Sequence, residues 1–158
     1  MAGRPTTSSS ATMHATSCGA APGTTIWSRG GRDVLWGGAG DDRLSSGTGS
    51  DMLVGGPGAD TLESGSGYDI FQFREATDST WNEMDILLDF DPDFDRINLA
   101  HVDADSQAPG HQAFVFGEEG SASLWQSGGR LLGDVDGDGA ADLVIEVGVD
   151  IGAENLVL

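Results

Sequence analysis

The sequence predicts an all-β protein: a coil of short parallel strands over residues 28–73, followed by a second β region over residues 74–158. Three observations carry that prediction. A nine-residue period with fixed Gly, Asp and apolar positions fills residues 28–72. Downstream, short apolar runs are bounded by Gly, Asp or Pro, as strands are. No segment sustains a long helical period.

The first element is a lead-in. Residues 1–27 are rich in Ser, Thr, Ala and Gly without an apolar period, which reads as a disordered or linker-like segment. Cys18 is the single cysteine, so no internal disulfide is available. Residues 1–23 hold no apolar core of secretory-signal length, and no stretch approaches the roughly 20 apolar residues of a membrane span.

The second element is the repeat. In nines it reads SRGGRDVLW, GGAGDDRLS, SGTGSDMLV, GGPGADTLE, SGSGYDIFQ. Position six is always aspartate: Asp33, Asp42, Asp51, Asp60, Asp69. Position eight is always large and apolar: Leu35, Leu44, Leu53, Leu62, Phe71. From the second repeat on, positions two and four are glycine: Gly38 and Gly40, Gly47 and Gly49, Gly56 and Gly58, Gly65 and Gly67. Arg29 at position two makes the first repeat atypical, as terminal repeats often are. Positions seven to nine form a minimal strand with one inward side chain, for example Leu53 in, with Met52 and Val54 out. One inward residue stabilises nothing alone, so successive turns must stack. Stacking puts Leu35, Leu53 and Phe71 in one ladder and Leu44 and Leu62 in the facing one. The glycines supply the torsions that the tight reversals need.

The third element, residues 74–158, contains strand-like runs at residues 85–90, 113–116, 123–125, 143–147 and 156–158. A short helix fits within residues 76–85. Trp81 and Trp125 read as core or cap residues.

Charge then narrows the chemistry. The chain carries 26 acidic residues against 7 basic ones, all Arg, for a formal charge of −19. Nucleic acid and anionic membranes are poor partners for such a surface. Stacking brings Asp33, Asp51 and Asp69 along one edge and Asp42 and Asp60 along the other. Without a cation each edge is a column of like charges. A hard divalent cation turns the same oxygens, with the loop carbonyls, into ligands. Calcium accepts about 6–8 oxygens in flexible geometry, whereas magnesium holds its water and wants an octahedron. Zinc prefers nitrogen and sulfur, and the repeats contain no His or Cys. Simple stacking predicts about three calcium ions in the coil; at ten times each dissociation constant, three sites add roughly 4 kcal/mol.

A second acidic motif spans residues 134–142. Asp134, Asp136, Asp138 and Asp142, with Gly139 at position six, match the first nine positions of an EF-hand-type loop. Position twelve is Ile145, where that loop wants Glu. Two readings stay open: a further calcium site on a β scaffold, or an acidic hairpin turn without an ion. His14, His101 and His111 share no ligand spacing and read as surface residues. No HExxH motif and no nucleophile with a partnered base is present.

The repeat carries the GGxGxDxUx signature, so residues 28–72 resemble an RTX calcium-binding β-roll. Residues 85–90 (DILLDF), 95–99 (DRINL), 105–116 and 133–143 (GDVDGDGAADL) resemble the C-terminal domain of the serralysins, secreted zinc metalloproteases. The resemblance implies a parallel β-roll followed by a β-sandwich-like cap. It implies a secreted, extracellular protein, exported by a type I system whose ABC transporter reads an uncleaved C-terminal signal. The ending, Glu154 followed by Asn155, Leu156, Val157 and Leu158, is similar to that family's. The zinc motif of the protease has no counterpart here, and residues 1–27 are too few for a protease domain. The expected function is therefore a non-catalytic, calcium-folded secretion and stability module, with any catalytic domain belonging to a parent protein. The alternatives are the tail of a serralysin-like protease, or a polysaccharide-binding module of the kind attached to mannuronan epimerases. The latter would draw on Arg32, Arg43 and Arg74.

Overall fold

The computed structural model describes residues 8–10, 23–117 and 122–158. Cys18 and His14 lie outside the described residues. Sixteen strands follow in chain order. The coil holds β1 (Ser8–Ser10), β2 (Thr25–Trp27), β3 (Val34–Trp36), β4 (Arg43–Ser45), β5 (Thr48–Gly49), β6 (Met52–Val54), β7 (Thr61–Glu63), β8 (Ser66–Gly67) and β9 (Ile70–Gln72). Beyond it come β10 (Asp85–Leu87), β11 (Arg96–Asn98), β12 (Val115–Phe116), β13 (Ser123–Ser127), β14 (Arg130–Asp134), β15 (Leu143–Glu146) and β16 (Leu156–Val157). The remaining elements are single 3-10 turns at Ala76–Asp78 and Ala153–Asn155.

The chain winds as a parallel β-roll, each half-turn crossing to the opposite sheet. One sheet runs β1-β2-β4-β7-β10-β15-β14-β13-β12, and the facing sheet runs β16-β11-β9-β6-β3. Register confirms the two apolar ladders. Ile26, Leu44, Leu62 and Leu87 stack in the first, and Leu35, Leu53, Phe71, Ile97 and Leu156 in the second. All nine are buried between the sheets. Fully burying one such side chain is worth about 1.5–3 kcal/mol, so the ladder is the coil's apolar cement.

Stacking is tight enough to dictate residue type in the turns. A Cβ at Gly67 (φ +146°) would stand 1.4 Å from the Gly49 carbonyl oxygen. No side chain fits, whatever its chemistry, because the obstacle is the backbone of the turn before.

Both sheets run through from the repeats into the C-terminal region. Thus β10 and β11 are further rungs of the coil, parallel to β7 and β9, and β15 and β16 are the rungs after those. The cap proper is the antiparallel meander β13-β14-β15 on the end of the first sheet. Ahead of the repeats, β2 pairs in register with β4, so the coil starts upstream of Ser28.

Two side chains depart from the sequence reading. Val54, expected outward, is buried at 3 % exposure, because residues 74–78 fold back over that face beside Trp36 and Pro57. Trp81, read as a core or cap residue, is 55 % exposed, with the Arg130 guanidinium 5.8 Å from its ring centroid. Trp125 is half-buried on β13. His101 and His111 are exposed, as expected.

Candidate metal centre

Every aspartate at position six is buried: Asp33, Asp42, Asp51, Asp60 and Asp69 are each at most 3 % exposed. Each precedes a strand whose next-but-one residue is the inward apolar one, so packing of that residue drags the carboxylate inside. The aspartates form two columns, one per edge of the roll. Along one edge the Asp33 N–H donates to Asp51 Oδ1 at 2.8 Å, and the Asp51 N–H to Asp69 Oδ1 at 2.8 Å. Along the other the Thr24 N–H donates to Asp42 Oδ1 at 2.6 Å, and the Asp42 N–H to Asp60 Oδ1 at 2.7 Å.

Both columns continue beyond the repeats. The Asp60 N–H donates to Asp85 Oδ1 at 2.9 Å, and the Asp69 N–H to Asp95 Oδ1 at 3.1 Å. Asp85 and Asp95 are thus the same position in later rungs, and sequence reasoning missed them as site residues. Their signal was present, since Asp85-Ile86-Leu87 and Asp95-Arg96-Ile97 repeat the pattern of aspartate, any residue, apolar residue. Asp78, also buried, leans on this end of the column; its Oδ2 accepts from the Arg74 and Glu75 N–H groups.

From Asp42 on, one carboxylate oxygen per aspartate therefore ties successive turns together, while Asp33, at the start of its column, takes the Ser28 hydroxyl of its own repeat instead. The other is bare. Asp33 Oδ1 and the Oδ2 atoms of Asp42, Asp51, Asp60, Asp69 and Asp85 are buried without a hydrogen-bond partner. A buried, unpartnered carboxylate oxygen is strongly unfavourable. Burial pushes Asp60 up to about 7, Asp69 to about 6 and Asp85 to about 9, neighbouring aspartates adding to the shift. Burial raises Asp42, Asp51 and Asp95 as well. Asp95 is the exception in geometry: its Oδ2 accepts from the Asp91 N–H at 2.9 Å.

The turn glycines complete the cradle. Gly38, Gly40, Gly47, Gly49, Gly56, Gly58, Gly65 and Gly67 all have positive φ. At Gly55 an added Cβ would stand 2.2 Å from Asp60 Oδ2, and at Gly37 3.1 Å from Asp42 Oδ2. The donor set is oxygen throughout, carboxylate and carbonyl, without His or Cys. Such a set fits a hard divalent cation, and its many flexible oxygens suit calcium better than magnesium.

The second motif occupies the β14–β15 hairpin. Asp134, Asp136 and Asp138 can bring one carboxylate oxygen each within 4.8 Å of the others. Asp142 instead accepts the Val135 N–H at 2.9 Å. Asp134 is buried, and both its oxygens are engaged: Oδ1 by the N–H groups of Asp136 and Gly137, Oδ2 by that of Gly139. Replacing Asp134 strips three loop N–H groups of their acceptor. Asp134→Ala is expected to lower stability in saturating calcium by about 1–3 kcal/mol in denaturant unfolding. Exposed Asp138→Ala is expected to cost under about 0.5 kcal/mol; an equal loss there would mark an ion in this loop.

Comparison with known proteins agrees with the fold. The family described as peptidase M10 serralysin C terminal matches residues 33–157. The AlgE6R3 subunit from the Azotobacter vinelandii mannuronan C5-epimerase, solved in solution, is similar at 27% identity and a TM-score of 0.56. That likeness covers 84% of this chain and 76% of the subunit. No curated protein matches the chain.

Proposed function

The chain belongs to the peptidase M10 serralysin C-terminal family, and from that premise we propose that it is a calcium-binding, non-catalytic module of a secreted protein. One observation carries the reading: six buried carboxylate oxygens, one per rung, have no partner. A proton can satisfy them one at a time. A calcium ion between turns satisfies carboxylates and carbonyls together and cancels the column's repulsion.

The residues proposed to hold calcium are Asp33, Asp42, Asp51, Asp60, Asp69 and Asp85, with carbonyls of the glycine turns. The secretory role follows from the same chemistry. In a calcium-poor cytosol the acidic chain stays unfolded and can thread a type I exporter, an ABC-transporter system. In calcium-rich surroundings outside the cell it folds and cannot return. The family match supports this, since it covers the part of the serralysins that is not the protease. Among the described residues no helix is long and apolar enough to cross a membrane.

The roll offers an acidic polysaccharide little to hold. Arg43 is paired with Glu63 at 2.9 Å, and the Arg74 guanidinium lies 4.9 Å from the centroid of the Trp36 ring. The remaining candidate, Arg32, lines a cavity shared with Asp33 and Asp51.

Isothermal titration with calcium and, separately, magnesium tests the proposal. Calcium should bind at several sites per chain with a heat that includes folding, and magnesium should bind at least about tenfold more weakly. Equal binding of the two ions, or none of calcium, would sink it.

A further inference from the structure

Successive nonapeptides fall on opposite edges of the roll, and their first residues alternate with them. The edge of Asp33, Asp51 and Asp69 has Ser28, Ser46 and Ser64 at that position; the edge of Asp42 and Asp60 has Gly37 and Gly55. We infer that the two edges are unequal cation sites: the glycine edge closes only around an ion, whereas the serine edge can close with less. This rests on the calcium reading above and states how calcium controls it.

A hydroxyl is both donor and acceptor. Beside a carboxylate it can donate when no ion is present, and it can turn a lone pair toward an ion when one is. The serine edge carries hydroxyls in its turns, one of them already on the carboxylate of its own repeat and two bonded elsewhere. Ser28 Oγ donates to Asp33 Oδ2 at 2.5 Å, and Ser64 Oγ reaches Asp95 Oδ2 at 3.5 Å. Ser46 Oγ donates to the Ser64 carbonyl at 2.8 Å, and Ser46 and Ser64 are fully buried. The turns of this edge also pair with each other as the β5–β8 ladder, prolonged by a bridge between Gly31 and Gly49.

The glycine edge excludes any such donor. A Cβ at Gly37 would stand 2.7 Å from the Gly55 carbonyl oxygen, and one at Gly55 would sit against Asp60 Oδ2. Each edge holds three bare buried carboxylate oxygens. Those of Asp51 and Asp69 have the Ser46 and Ser64 side chains beside them. Oδ2 of Asp42, Asp60 and Asp85 has no hydroxyl neighbour among the described residues, only carbonyl and carboxylate oxygens. Only something small and positive, brought from solution, completes that edge.

The test uses the full chain and the calcium midpoint of folding, read by far-ultraviolet circular dichroism. Asp51 and Asp60 sit mid-column on opposite edges, so Asp51→Asn and Asp60→Asn are matched variants. Asp60→Asn should raise the midpoint about tenfold, and Asp51→Asn by at most about threefold. Removing the buried hydroxyls, Ser46→Ala with Ser64→Ala, should raise it about fivefold, because the serine edge then also lacks a donor. Equal shifts for the two Asn variants would overturn the inequality, as would an unmoved midpoint in the double Ala variant. A parent chain that ignores calcium overturns the proposed function, and this inference with it. A parent that responds, with matched edges, overturns this inference alone.

Discussion

In excess chelator, the folded fraction of this chain is expected to fall steadily as pH rises from about 4 to 9. The sign follows from the buried carboxylates. Asp69, Asp60 and Asp85 have folded values of about 6, 7 and 9, against an ordinary value of 3.8. The metal-free fold therefore binds more protons than the unfolded chain over that interval, and stability declines with pH wherever the folded state holds the extra protons. Their contribution is whole below about pH 4 and is lost as pH passes through each folded value. Self-repulsion acts in the same direction, since the chain reaches −19 at neutrality. Calcium inverts the trend, because it takes the place of the protons: its binding releases them, and its apparent affinity grows with pH. Circular dichroism over a pH series, with chelator and with millimolar calcium, checks both halves. A metal-free fold that holds or strengthens toward pH 9 would contradict the account of these oxygens.

Phe71→Ala is expected to cost about 3–5 kcal/mol. Phe71 is fully buried, stacked between Leu53 and Ile97 in one ladder, with its ring centroid 5.8 Å from that of Phe90. Net stabilities are about 5–15 kcal/mol, so the variant should unfold or need much more calcium to fold. Tyr68→Ala, three residues away and 65 % exposed, loses only an edge-on contact with the Phe94 ring at 5.3 Å and should cost at most about 1.5 kcal/mol. Denaturant unfolding of both at fixed calcium distinguishes a ladder that carries load from a coil held by ions alone. Similar midpoints for the two variants would favour the latter.

The contrast between those two residues was legible in the nonapeptides, where position eight is always apolar and position five is not. The two ladders and the two aspartate columns were equally legible, because the period of nine puts every second repeat on the same edge. Legibility ended where the period did. Within the repeats the column bonds join aspartates 18 residues apart, but Asp60 meets Asp85 across 25 residues and Asp69 meets Asp95 across 26. Inserted segments lengthen the last turns, so a search by fixed period passes over rungs that the register keeps. Strand β14 was missed for another reason: Arg130–Asp134 contains Gly133 and is identified mainly by its antiparallel neighbours. Val54 and Trp81 depend on which loop covers which face, and no local pattern near either residue encodes that.

What remains is whether ions fill the places that the carboxylates leave for them. Diffraction from crystals grown in millimolar calcium, with anomalous maps to identify the ion, answers it directly. Peaks about 2.3–2.6 Å from Oδ2 of Asp42, Asp60 and Asp85, shared with carbonyls of adjacent turns, are the expected result. Ordered coils with only water, or nothing, beside those atoms would be the contrary one.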